Sequence, residues 1–177
     1  MGVIELGGVH GVGKSTTIEK ASKITEKYVP VLKGSIIMAR ILGVEPNDLP
    51  YQPANLRAEA REQMFEELNS AINGVRDSHF CVYSDDGYEF PFTDSDIGLV
   101  NVAVLLEASK ETILRRRLKI TRDRPKDINA IEEQIYLEKL GAEQAADKLN
   151  VELIIIKNED SNNAPYELAE VFDQYLD

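Results

Sequence analysis

Positive charge and cysteine are both scarce in this chain. Its 177 residues carry 31 acidic against 20 basic side chains, a net charge of −11. That balance argues against nonspecific nucleic-acid binding and against docking on an anionic membrane, so neither partner is expected. Cys81 is the only cysteine, so no internal disulfide can form. Lying in an apolar run, it reads as a small buried hydrophobe. No apolar stretch approaches membrane-spanning length. No secretory leader is expected, since the chain runs straight into a strand pattern. Leu6 stands where a myristoylation signal would need Ser or Thr. A cytoplasmic setting follows as the simplest expectation. Repeats and low-complexity segments are absent. A composition of 43% hydrophobic and 29% charged residues fits one globular domain, 1–177, with a sizeable core.

Glycine, by contrast, is concentrated where it counts. Gly8-Val9-His10-Gly11-Val12-Gly13-Lys14-Ser15, followed by Thr16, satisfies the P-loop pattern at every fixed position. Its glycines let backbone N–H groups turn inward around phosphate oxygens. Lys14 is placed to reach the β- and γ-phosphates of ATP, and the Ser15 hydroxyl to bind Mg²⁺. Val3-Ile4-Glu5-Leu6 reads as a buried strand and Thr16 to Lys27 as a helix, the context that a phosphate-binding loop requires. His10 at the loop tip is open to two readings, a phosphate contact or a solvated loop histidine.

Further along, Tyr28 to Lys33 predicts a short strand near a sheet edge. Ile36 to Leu42 predicts a short helix, Gly43 to Pro53 a loop, and Ala54 to Ile72 a long helix with Leu56, Ala60, Met64 and Leu68 on one stripe. His79 to Tyr83 predicts the next strand, ending at Asp85 and Asp86, and 85–98 an acidic loop. Leu99 to Leu106 predicts a central strand buried on both faces. Ser109 caps a helix to about Lys119. Ile128 to Leu149 predicts a long helix with a kink near Gly141. A last strand (Val151 to Ile156) and a helix (Pro165 to Leu176) close the chain. About five strands alternating with helices predict an α/β fold, a P-loop NTPase-like parallel sheet with helices on both faces. The regions 34–73 and 120–127 read as insertions.

Three charge clusters are candidates for chemistry. Asp85 at a strand end suits a carboxylate that holds Mg²⁺ opposite Ser15, with Asp86 as competitor and two solvated loop acids as the alternative. Seven of the 20 basic residues fall between Arg115 and Lys126. Of these, Arg116, Arg122 and Arg124 are placed to neutralise charge on a transferring phosphoryl group, while Arg115 points away. A basic helix end satisfying its own dipole is the competing reading. Arg40, Arg57 and Arg61 could clamp an acceptor phosphate, or could form surface ion pairs with Glu62 and Glu66.

Together these features resemble the nucleoside monophosphate kinases, and the archaeal type of adenylate kinase most of all. The likeness rests on Gly11 to Thr16, on Leu105-Leu106-Glu107-Ala108, on Thr121-Arg122-Asp123-Arg124 and on Leu56-Arg57. It implies ATP and Mg²⁺ as cofactors, AMP as acceptor, Arg57 as monophosphate clamp, and Arg116, Arg122 and Arg124 as lid arginines over the phosphates. Asp85 would hold Mg²⁺ through water. The family follows its strand-end aspartate with Thr-His, whereas Asp85 is followed by Asp86-Gly87-Tyr88, and Gly34-Ser35 replaces a usual Gly-Asp. Glu5 and the 85–88 stretch are also similar to thymidylate kinases. The alternatives are a kinase for another small molecule and a nucleotide-binding regulatory protein with a degenerate acceptor site. A homo-oligomer is compatible with the sequence.

Overall fold

The computed structural model describes residues 2–70, 73–84, 87–92, 94–120, 125–160 and 163–177, with only the backbone described at 47, 50, 54, 83, 84 and 95. Five parallel strands form the main sheet: β1 (Val3–Gly7), β2 (Val31–Lys33), β3 (Gly74–Asp77), β6 (Val102–Glu107) and β7 (Glu152–Lys157). Their spatial order is β2-β3-β1-β6-β7, so the chain reverses direction of growth beside β1. That switch point is where a parallel sheet opens a crevice beyond its carboxyl ends. A separate antiparallel hairpin joins β4 (Val82–Ser84) to β5 (Gly87–Glu89).

Strand residues alternate between two cores. Ile4, Leu6, Val104 and Leu106 face one side with Ile18 and Ala21 of α1 (Lys14–Ala21) and with Leu168 and Phe172 of α6 (Ala164–Tyr175). Ala103 and Leu105 face the other side with Phe80 and with Ala142, Ala145 and Ala146 of α5 (Ile128–Leu149). Helices therefore cover both faces, as the β-α alternation implied. α4 (Lys110–Leu118) begins at Ser109, whose side chain accepts from the Thr112 amide as a helix cap should.

The segment between β2 and β3 builds its own small core. Ile37 of α2 (Gly34–Leu42) packs with Met64 and Leu68 of α3 (Ala54–Ser70), and a short 3-10 turn (Pro46–Tyr51) connects the two helices. Ala60, Met64 and Leu68 of the sequence-predicted stripe are buried, whereas Leu56 is exposed.

Two expectations need correction. The third strand of the sheet is Gly74–Asp77, not His79 to Tyr83, part of which instead enters the hairpin. The reason is chemical: β3 carries Arg76, which apolar patterning rejects, yet Arg76 is only 3% exposed and lies near Glu5 and Asp96. Helix α1 stops at Ala21, and Ser22 turns its hydroxyl back onto the Ile18 carbonyl at 2.8 Å. Helix α5 runs as one helix through Gly141. The glycine is there because a Cβ would stand 2.4 Å from the Phe80 carbonyl oxygen.

Candidate functional site

The glycine loop leaves β1 at Gly7 and enters α1 at Lys14. Gly11 and Gly13 hold φ of 91° and 101°, which side chains resist. At Gly13 a Cβ would also meet the Asn158 amide nitrogen at 2.7 Å. Val9 and Val12 anchor the loop by burying their side chains in the core. Its carbonyls are turned onto protein donors. Gly8 O accepts from Lys14 Nζ, and Val9 O from the Val12 amide at 3.0 Å. His10 O accepts from Arg117 Nε at 2.9 Å. Val12 O accepts from Arg116 at 2.7 Å and from Asn158 at 2.8 Å. Gly13 O accepts from the Thr17 amide at 3.0 Å and from the Thr17 hydroxyl. With these carbonyls engaged elsewhere, an anion in the loop meets N–H groups and the amino end of α1.

Of the predicted arginines, Arg116 does reach the loop, but as a strut. Its guanidinium bridges Val12 O to the carbonyls of Asn158 (2.9 Å) and Glu159 (3.3 Å). Arg115 points away, as expected, onto Asp160 at 2.7 Å. Arg122 and Arg124 lie outside the described residues. Arg117, which sequence reading passed over, is fully buried. Besides His10 O it donates to Pro125 O and Gln134 Oε1, both at 2.8 Å. It thus ties the loop to α5 and to the far end of the 120–127 segment.

Glu138 is the second residue missed. Its buried carboxylate accepts from the amides of Gly8 (2.7 Å), Phe80 (3.0 Å) and Cys81 (3.0 Å), joining α5, the P-loop and the connection after β3. Burial pushes its pKa up, but the hydrogen bond and charge of His79, the charge of Lys14 and the Phe80 amide outweigh that and hold it below the usual value. The signal was present in the sequence: Ile131, Ile135, Glu138, Ala142, Ala145 and Leu149 form one helical stripe with a single acid in it. His79 packs edge-on against His10, ring centroids 4.3 Å apart. Burial and the charge of Lys14 keep its pKa low, against the pull of Glu138. Burial, with Glu138 close by, raises the Cys81 thiol to about 11, so it stays protonated and unreactive at neutral pH.

The strand-end acid beside the P-loop is Asp77, which pairs in register with Leu6 of β1. Asp85 and Asp86 lie outside the described residues, and the strand that was to present Asp85 is not part of the main sheet. Asp77 is followed by Ser78-His79, so the acid–hydroxyl–histidine order sought after Asp85 stands eight residues earlier. The Ser78 hydroxyl donates to Glu5, which is 2% exposed. Desolvation lifts the Glu5 pKa to about 7, against the Ser78 hydrogen bond and the Arg76 charge; Asp96 and Asp77 add to the rise.

A metal ion would be held here by Ser15 and Asp77. The pair fits a hard cation, because the Lys33 ammonium already rests between them, 3.2 Å from Ser15 Oγ and 3.4 Å from Asp77 Oδ2. On the α2–α3 side, Arg57 is half-buried, and its buried Nε has no hydrogen-bond partner among the described residues. Arg40 is engaged by Glu67 in an exposed pair. Arg61 lies 3.7 Å from Glu89. Among the described residues, no helix is long and apolar enough to cross a membrane.

The sheet order, the glycine loop and the acid beside it define a P-loop kinase-like fold. Residues 7–135 match the AAA domain family designated AAA_17, and the chain belongs to that family. No curated protein matches its sequence. Among solved structures it is similar to shikimate kinase from Bacteroides thetaiotaomicron, at 16% identity and a TM-score of 0.62 over 97% of this chain and 98% of that one. It is similar also to the YorR protein of Bacillus subtilis in complex with phosphorylated GDP, at 19% identity and 0.63 over 97% and 94%. A gluconokinase from Sinorhizobium meliloti aligns over 98% and 97% at 16% identity and 0.53.

Proposed function

We propose that this chain is an ATP-dependent kinase that passes the terminal phosphoryl group to a nucleoside monophosphate, AMP first among them. The observation that carries the reading is the convergence of Lys14, Ser15 and Asp77 at the carboxyl ends of β1 and β3. The loop amides and Lys14 would hold the donor phosphates. Mg²⁺ between Ser15 and Asp77 would shield their charge. An acceptor phosphate oxygen attacks the γ-phosphorus while the bond to the β-phosphate oxygen breaks and ADP leaves. The protein contributes positioning and charge rather than a covalent intermediate.

The nucleotide acceptor is favoured over the sugar and acid acceptors in the names of the similar structures by two features. Asp77-Ser78-His79 restores the order that the archaeal adenylate kinase resemblance calls for. Arg57 Nε is a buried donor on the α2–α3 side that has no partner among the described residues. A cytoplasmic setting, with its ATP supply, goes with this reading.

A coupled assay of ADP formation across nucleoside monophosphates, nucleoside diphosphates, shikimate and gluconate tests it. AMP-dependent turnover is expected. ATP binding without transfer to any acceptor would instead favour a regulatory nucleotide-binding protein. Arg57→Ala should raise the acceptor KM by about tenfold or more, the value of a charge-assisted hydrogen bond, with the ATP KM unchanged. Arg40→Ala should leave both within about twofold, since that side chain is held in a surface pair.

A further inference from the structure

Lys33 ends β2, the edge strand of the sheet, and pairs in register with Asp77 at the end of β3. Its stem therefore starts beside the carboxylate that its ammonium reaches. The ammonium bridges Asp77 Oδ2 at 3.4 Å and Ser15 Oγ at 3.2 Å, although 32% of the side chain remains exposed to solvent. Lys14 is engaged separately by the Gly8 carbonyl, so the two lysines beside the P-loop occupy two distinct seats.

We propose that Lys33 is a tethered counter-ion of the donor site: its ammonium fills the seat between Ser15 and Asp77, and a divalent cation must displace it to bind there. This rests on the reading of the P-loop as a Mg-nucleotide site. The competition is steric and electrostatic at once. A magnesium ion binds oxygen at about 2.0–2.1 Å and keeps several waters, which leaves no room for an ammonium at hydrogen-bond distance from the same two oxygens. Two cations sharing one carboxylate would also repel. Displaced, Lys33 stays on its four-carbon stem near Ser15, where phosphate oxygens over the loop can receive it. The tethered charge thus works in two directions. It weakens divalent binding in the nucleotide-free protein, and it strengthens the binding of a nucleotide that arrives without metal.

The test uses the full chain and two variants, Lys33→Met and Lys33→Gln. Mn²⁺ binding to nucleotide-free protein is followed by electron paramagnetic resonance, and ATP binding in excess EDTA by calorimetry. Both variants should bind Mn²⁺ about five- to tenfold more tightly than wild type, the order set by one charge at this range. Both should bind metal-free ATP more weakly by a similar factor. Opposite signs in the two titrations cannot come from a general loss of structure, which would weaken both. Equal Mn²⁺ binding by wild type and variants, or none by any of them, overturns the inference while leaving an ATP site standing if ATP still binds. Failure of wild type to bind ATP at all would overturn the donor-site reading instead.

Discussion

At the scale of single residues, the proposed donor site offers two clean tests. The Lys14 ammonium donates to the Gly8 carbonyl, and the residue sits at the start of α1, outside both cores. Lys14→Ala should reduce Mg-ATP binding below detection by calorimetry while the melting temperature stays within a few degrees of wild type. Asp77→Asn keeps shape and removes charge. Turnover should fall by about a hundredfold or more with only a modest loss of ATP affinity, as expected for a group that acts on developing charge. Unchanged turnover would return the role to a residue outside the described set, Asp85 or Asp86. Glu138 is of a different kind. Glu138→Ala would strip three backbone amides of their acceptor, so a destabilisation of about 3–5 kcal/mol in urea unfolding is expected. Glu138→Gln, still able to accept, should cost clearly less.

At the scale of elements, what was legible in the sequence was what depends on neighbours along the chain. The P-loop, the Ser109 cap and the span Ile128–Leu149 follow from local spacing and stand in the structure, as does the apolar strand of β6, which runs Val102–Glu107 rather than from Leu99. Strand β3 was not legible, because its acceptability is decided across the sheet. Arg76 can be buried only because Glu5, directly opposite it in register, and Asp96 supply carboxylates within 4 Å, and Leu68 O accepts from it at 2.8 Å. Asp77 was missed with the strand that carries it. The triple arginine of α4 was legible as a functional cluster, but its division of labour was not. One side chain goes to an exposed acid, one braces the loop and one is buried as a three-way tie. That tie is directional. Arg117→Lys keeps the charge but cannot reproduce donors to His10 O, Pro125 O and Gln134 from one ammonium. A fall of several degrees in melting temperature together with weaker ATP binding is expected by scanning fluorimetry and calorimetry.

At the scale of the whole molecule, the buried group formed by Glu5, Arg76, Asp96 and Ser78 makes stability depend on pH. The Glu5 pKa of about 7 lies above the ordinary 4.5, so the folded protein holds this proton more tightly than the unfolded chain. Its contribution is therefore fully present below about pH 4.5 and is lost as pH rises through 7, by about 3 kcal/mol in all. Asp96 and Asp77 act in the same direction, while Arg76 and Ser78 oppose it. Glu5→Gln removes the titration and keeps the shape. The difference in unfolding free energy between Glu5→Gln and wild type should grow in favour of the variant between pH 5 and 7.5. A constant difference across that range would show that Glu5 does not titrate there.

The glycine loop is held from several directions by the protein itself: by α4 through Arg116 and Arg117, by α5 through Glu138, and by the end of β7 through Asn158. Its conformational entropy is given up when the chain folds, not when the nucleotide binds. Association should then proceed without an ordering step, giving a single kinetic phase and a small heat-capacity change set by the ligand's own buried surface. The same braces make affinity and foldedness inseparable. A substitution that slackens any of them returns disorder to the loop, and each binding event must then remove it again.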